Sequence, residues 1–234
     1  MKLLKQFTNP LFILVLILSF LTVGCNTETT DPVPGITTTA DDGSTTVDEN
    51  VLNDTLLALP LEQPDASEEA GLVFMREEEK LAHDVYIKMF ALGYSKVFDN
   101  ISQSEQTHTD AILALLDRYN ITDPVGDNPE GVFVNADLQA LYDALILQGS
   151  PSLENALYVG AEIEEIDILD IQRLVDALDG NEDIAIVYES LLKGSRNHLR
   201  AFVNNLANQG VDYAPKHLTQ EVYDAIINAA METS

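Results

Sequence analysis

Glu105 and His108 form an E-x-x-H pair, and Ser195 and His198 repeat the spacing with a hydroxyl in place of the carboxylate. On a helix, residues three apart share a face, so a carboxylate and an imidazole placed this way can reach one ion. Two glutamate runs, Glu77-Glu78-Glu79 and Glu162-Ile163-Glu164-Glu165, supply further oxygen ligands. Two-metal sites in helical bundles take one Glu from each of two helices and an E-x-x-H from each of the other two. Three of those four parts are present here, and Ser195 alters the fourth.

Apolar stripes indicate which acids turn inward. Glu105 and His108 lie on Phe98-Ile101-Glu105-His108-Ile112-Leu115, stepping by three or four. A capping box at Ser102–Glu105 is the competing reading, but Val97, Phe98 and Ile101 extend the stripe upstream and favour a mid-helix position. In the first run, Met75, Ala82, Val85 and Met89 select Glu78 or Glu79, with Glu79 preferred and Glu77 pointing elsewhere. Lys80 and His83 are expected to be exposed. In the second run, Tyr158-Glu162-Glu165-Leu169 forms one stripe, which places Glu162 and Glu165 together and turns Glu164 away. The alternative is that this stripe faces solvent while Val159, Ile163, Ile166 and Ile171 pack. His198 lies on Tyr188-Leu191-Ser195-His198-Phe202, with Arg196 and Arg200 expected to pair with Asp167 or Asp170. The candidate metal ligands are thus Glu79, Glu105, His108, Glu162, Glu165 and His198. Tyr86, Tyr158 and Tyr188 are candidates to line the site.

Helical periodicity and glycine punctuation predict the elements that must hold these residues. Long helices are expected over about 67–92, 95–119, 152–178 and 181–208, with Ser67 capping the first. Shorter helices are expected over 136–148 and 219–231. No strand pattern stands out. The links between the first pair and the last pair of long helices are short, and the middle link is long and carries a helix. The fold class is therefore all-α, a four-helix bundle of two hairpins with an extra crossover helix and a C-terminal helix.

Outside 67–234 the chain reads differently. Lys2 and Lys5 precede an apolar run, Leu11 to Val23, too short for a typical membrane span. Thr22-Val23-Gly24-Cys25 resembles a lipoprotein cleavage site, so 1–24 is expected to be a signal peptide and Cys25 a lipidation site. Cys25 is the single cysteine, which excludes an intramolecular disulfide and thiolate ligation in the domain. Residues 25–66, rich in Thr, Asp, Gly and Pro, are expected to be a disordered tether, with Leu52 to Leu61 docking weakly. The expected location is the cell envelope, lipid-anchored and extracytoplasmic. The formal charge is −27; removing Lys2 and Lys5 with the leader gives −29. Such a surface argues against nucleic acid or anionic lipid as partner and favours cations.

Together, Arg76–Ala82, Ser104–His108, Gly160–Ile168 and Gly194–Phe202 resemble a bacterial and archaeal domain family of unknown function in the ferritin-like superfamily, distantly similar to the rubrerythrin bundle. The resemblance implies the bundle fold and a carboxylate-bridged two-metal site. It brings no settled activity, and no Cys-x-x-Cys electron-relay module is present. Iron is the expected metal, with manganese or zinc also suited to these ligands. The chemistry would be redox, toward oxygen, peroxide or ferrous iron. The alternative is a metal-free acidic scaffold that binds a protein partner. A dimer is compatible with either reading.

Overall fold

Four long helices form where apolar periodicity runs unbroken between caps. The computed structural model describes residues 35–233. The expected signal peptide and Cys25 lie outside the described residues. The elements are β1 (Thr37–Thr39), β2 (Thr45–Val47), α1 (Glu49–Ala58), α2 (Ala66–Ala91), α3 (Val97–Tyr119), α4 (Ala136–Gly149), α5 (Leu153–Ala177), α6 (Glu182–Asn208) and α7 (Gln220–Ile227). Asp65, two turns before the first buried large apolar residue, Leu72, starts α2 in place of the expected Ser67. Its carboxylate accepts from the Ser67 and Glu68 amides, and the Glu68 carboxylate in turn accepts from the Asp65 amide at 2.8 Å. Asn120, in the left-handed conformation at φ 56°, closes α3.

The long helices form a ring in the order α2, α3, α6, α5. Paired contacts fix their directions. Gly71 abuts Leu174 while Tyr86 reaches the Gly160 carbonyl, so α2 and α5 are antiparallel. Ser95 meets Asn205 and Arg118 meets Asp183, so α3 and α6 are antiparallel too. The short 92–96 and 178–181 links make α2–α3 and α5–α6 antiparallel hairpins. It follows that α3 and α5, on a diagonal, run the same way. The chain must return the length of the bundle between them, and α4, packed on α2 and α5, lies within that return. Glu77 anchors it by accepting from the amides of Val134 and Asn135 just before α4.

The expected tether is ordered from residue 35 onward, which corrects that reading. β1 and β2 pair antiparallel, Thr37 opposite Val47 and Thr39 opposite Thr45, and β2 lies on α3 and α6. Ile36, Val47, Leu52 and Leu56 are buried. The Thr45 amide donates to Ser104 Oγ at 3.0 Å and the Val47 amide to Thr107 Oγ1 at 2.9 Å. Composition suggested disorder because it counts bulk apolar content. What orders this segment is a few small apolar anchors and helix side chains that satisfy its backbone.

The far end of the chain secures the hairpin. Glu232 accepts from Arg196 at 2.7 and 2.5 Å and from Arg200 at 3.1 Å, and its carbonyl accepts from Thr39 Oγ1 at 2.9 Å. Arg196 and Arg200 therefore pair with the C-terminal segment and not with Asp167 or Asp170 as the sequence suggested. Their spacing on α6 aims them outward over the hairpin. Among the described residues no helix is long and apolar enough to cross a membrane.

Partial burial raises the Glu232 carboxyl, but the Arg196 and Arg200 contacts outweigh it and hold the group below its ordinary value. A depressed folded value means stabilisation that is present above the unfolded value and lost as pH falls through the folded one. Glu232→Gln is therefore expected to lower stability at neutral pH by on the order of 1 kcal/mol after solvent screening. In melting curves taken from pH 7 downward, the difference from wild type should vanish below the carboxylate range. A difference that persists there would refute the clasp.

Candidate metal centre

All four ring helices send ionisable side chains to one buried cluster. Glu105, near the middle of α3, is its centre. Its Oε2 lies 2.9 Å from His108 Nδ1 and its Oε1 lies 2.8 Å from His198 Nδ1. Outside the imidazoles stand two more carboxylates: Glu79 of α2, 3.4 Å from His108 Nδ1, and Glu164 of α5, 3.5 Å from His198 Nδ1. The two rings stack with centroids 5.4 Å apart. One ligand atom from each of Glu105, His108 and His198 falls within 4.8 Å of the others. All five residues are 1 % exposed or less.

The surroundings fix orientation. His108 Nε2 lies 2.9 Å from the Thr45 carbonyl. A carbonyl only accepts, so Nε2 carries the proton and Nδ1 is turned to the carboxylates. The β2 strand thus sets the tautomer of a residue on α3. Tyr86 donates to Glu164 Oε1 at 2.5 Å, with Gly160 O also within 3.3 Å of its hydroxyl. Tyr86, Phe98 and Phe202 pack together beside it, with centroids 5.1–6.2 Å apart. Gly194 makes room for His108: a Cβ there would sit 2.5 Å from the ring's Cε1. Ser195 donates to Leu191 O, one turn back in its own helix, at 3.1 Å.

Several atoms of the cluster lack any hydrogen bond of acceptable geometry. They are both oxygens of Glu79, Oε1 of Glu105, Oε2 of Glu164, Nδ1 of His108 and both ring nitrogens of His198. Glu78 and Asp167, also buried, leave all four of their oxygens without one. Orphaned buried polar atoms are rare and costly, typically about 1–3 kcal/mol each and more for charged groups. So many in one place is what a cation would resolve.

Electrostatics tell the same story. Burial acts to raise Glu105, but the imidazoles of His198 and His108 overcome it and hold the carboxyl well below its usual range. Burial lifts Glu79 to about 7 against the opposing pull of His108, with Glu105 adding to the rise. Burial likewise lifts Glu164 to about 7 against His198. Asp167 is pushed well up by burial and then by Glu79, Glu78, Glu164 and Glu105. His198 rises to about 9: burial lowers it, and Glu105 and Glu164 more than reverse that. Without a cation the cluster must hold protons.

Glu79, Glu105, His108 and His198 are thus brought together. Glu162 and Glu165 are not. Glu162 is at the surface, bonded to Lys216 Nζ at 2.5 Å and Gln148 at 2.9 Å. Glu165 is buried but faces the segment after α6, accepting from Tyr213 and from the amides of Lys216, His217 and Leu218. Glu164, expected to turn away, takes the inward place. The stripe that packs in α5 is Leu157-Gly160-Ala161-Glu164-Asp167-Ile168-Ile171, whereas Leu169 of the chosen stripe is exposed. Gly160 was the available signal, because its bare backbone meets the Phe202 ring. Of the tyrosines, Tyr86 touches the site. Tyr158 stacks on Tyr213, and Tyr188 lies by Gly71. Lys80, expected to be exposed, is buried against Asp84 and the Pro129 carbonyl, and His83 is half-buried beside Asp84. The crossover loop covers that face.

Gly194→Ala gains about 1 kcal/mol of helix propensity but forces apart His108 and α6. His108 is wedged between Glu105 and Thr45, so overpacking should dominate at about 1–3 kcal/mol. Chemical denaturation is expected to show a net loss of stability; a more stable variant would mean that the ring is free to move.

Comparisons with known proteins bear on identity. The chain is 47% identical over 175 residues to an uncharacterized protein of Methanocaldococcus jannaschii, MJ0754, covering 75% of this chain and 94% of that one. The crystal structure of hypothetical protein MJ0754 superposes with a TM-score of 0.72 at 47% identity, covering 74% of this chain and 99% of that chain. Residues 68–230 match the uncharacterized protein domain DUF2202, which spans all four ring helices and the whole buried cluster, and the chain belongs to that family.

Proposed function

We propose that this chain is a ferritin-like metal-binding protein, with Glu79, Glu105, His108, Glu164 and His198 as the ligands of a two-ion centre. The observation that carries the reading is Glu105. It presents one oxygen to each of two buried imidazoles, and each imidazole is backed by a further carboxylate with at least one oxygen lacking a hydrogen bond, both in Glu79 and Oε2 in Glu164. That is the disposition of a bridging carboxylate between two positions, one at His108 and Glu79, the other at His198 and Glu164. The residues fit such a group because a cation satisfies atoms that nothing else in the core satisfies. Carboxylate with imidazole suits iron or manganese, and zinc also accepts these ligands.

Bound iron or manganese would supply redox chemistry toward oxygen, peroxide or ferrous iron. The chain's own residues prepare the place. Thr45 and Tyr86 hold His108 and Glu164 in orientation, and the Tyr86–Phe98–Phe202 layer excludes water on one side. Ligand protons must leave as a cation enters, so uptake should be coupled to proton release. The basic start, apolar run and Cys25 support a lipid-anchored, extracytoplasmic setting for this centre.

Protein purified without chelator should contain about one to two ions of iron or manganese per chain by elemental analysis. Glu105→Ala/His108→Ala should fall to background, while Glu162→Gln, altered at the surface, should match wild type. Wild-type protein free of metal, and unable to take up Fe2+ or Mn2+, would sink the proposal and favour an acidic scaffold.

A further inference from the structure

The centre as proposed has one carboxylate fewer than its two halves would share, because Ser195 stands where a second E-x-x-H would begin. Ser195 gives its hydroxyl to its own helix. The antiparallel packing of α5 on α6 shows what faces that gap. Glu164 meets His198, and one turn in the opposite sense Gly160 meets Phe202. One turn beyond Glu164 on α5 is therefore level with one turn before His198 on α6, which places Asp167 on the layer of Ser195. The α2 register agrees. Tyr86 meets Glu164 and Gly71 meets Leu174, so Glu79 and Glu78 fall between, at the layer of Asp167.

Asp167 is 1 % exposed, and neither of its oxygens has a hydrogen bond. Among the described residues no cation forms an ion pair with it, and the charges that press on it most are Glu79, Glu78, Glu164 and Glu105, three of them acids of the centre itself. Glu78, 2 % exposed, is raised by burial and then by the neighbouring carboxylate of Asp170. A buried aspartate without a hydrogen bond, pressed by four other acids, does not stabilise the fold. It is placed to hold something positive.

We infer that Asp167 supplies from α5 the carboxylate that Ser195 withholds from α6, completing with Glu79 and His108 an oxygen-rich position for a hard divalent cation. This inference rests on the proposed centre. It makes the two positions unequal: two acids besides the Glu105 bridge at His108, and one at His198. Oxygen-rich ligation favours Mn2+ or Fe2+ over softer ions.

The test is titration of metal-stripped full-length protein with Mn2+, reading free Mn2+ by its electron paramagnetic resonance signal. Wild type should bind two ions. Asp167→Asn should lose one or bind it at least about tenfold more weakly. Because no side-chain bond is broken, Asp167→Asn and Asp167→Ala should melt no lower than wild type when metal-free. Restoring a carboxylate from the other helix, in Asp167→Ala/Ser195→Glu, should recover the lost ion. Mn2+ binding by both Asp167 variants indistinguishable from wild type overturns the assignment while leaving the centre in place. Wild type that binds no Mn2+ or Fe2+ overturns the centre itself.

Discussion

Everything in this bundle is arranged around a carboxylate that cannot reach water. Glu105 is held ionised in an apolar interior by two imidazoles, one from its own helix and one from α6. An uncompensated buried charge costs several kcal/mol, so the fold must keep both imidazoles in place. That requirement dictates the glycine at 194, the inward glutamates on α2 and α5, and the backbone carbonyl of β2. Each serves His108, His198 or the charge they balance.

The crossover topology follows from the same need. A ring of four antiparallel neighbours brings each helix's middle to a common depth. Acids and imidazoles near those middles then meet, although in sequence they span residues 79–198. The price is a long return between α3 and α5, and buried polar residues are spent on it. Arg76 ties α2 to Asp123 at the start of that segment, and Lys80 and Glu77 bind its later part. The acidic run in α2 thus divides its labour by direction, Glu77 outward to the loop and Glu79 inward to His108.

Much of this was legible in the sequence, and what was not has physical causes. The six helices of the 67–234 region were readable because periodicity and caps are local, and their ends fall within a few residues of expectation. Glu105, His108 and His198 each stood on one apolar stripe, and for Glu105 the upstream Val97, Phe98 and Ile101 outweighed the competing capping box. In α5 two stripes competed, because acids and large apolar residues alternate through 162–170 and both Ile163 and Leu169 offered a plausible inward face. Hydrophobicity alone could not rank them, and small residues were the better guide: Gly160 and Ala161 mark the side where another helix comes close. The hairpin before α1 was invisible because its order comes from Ser104, Thr107 and Asn197, partners far along the chain that no local pattern announces.

That hairpin also has a consequence for assembly. Thr45 is made early, but Asn197 and Glu232, which hold its strand down, are made late. A nascent chain can pair α2 with α3 and bring Glu79 to His108 while β2, which lies on α3 and α6, still lacks its last fastenings. The strand whose carbonyl meets His108 gains these last fastenings when α6 and the segment after α7 arrive. A chain truncated after α6 would still bring the buried acids and imidazoles together, but under a hairpin held from α3 and α6 alone, without Glu232.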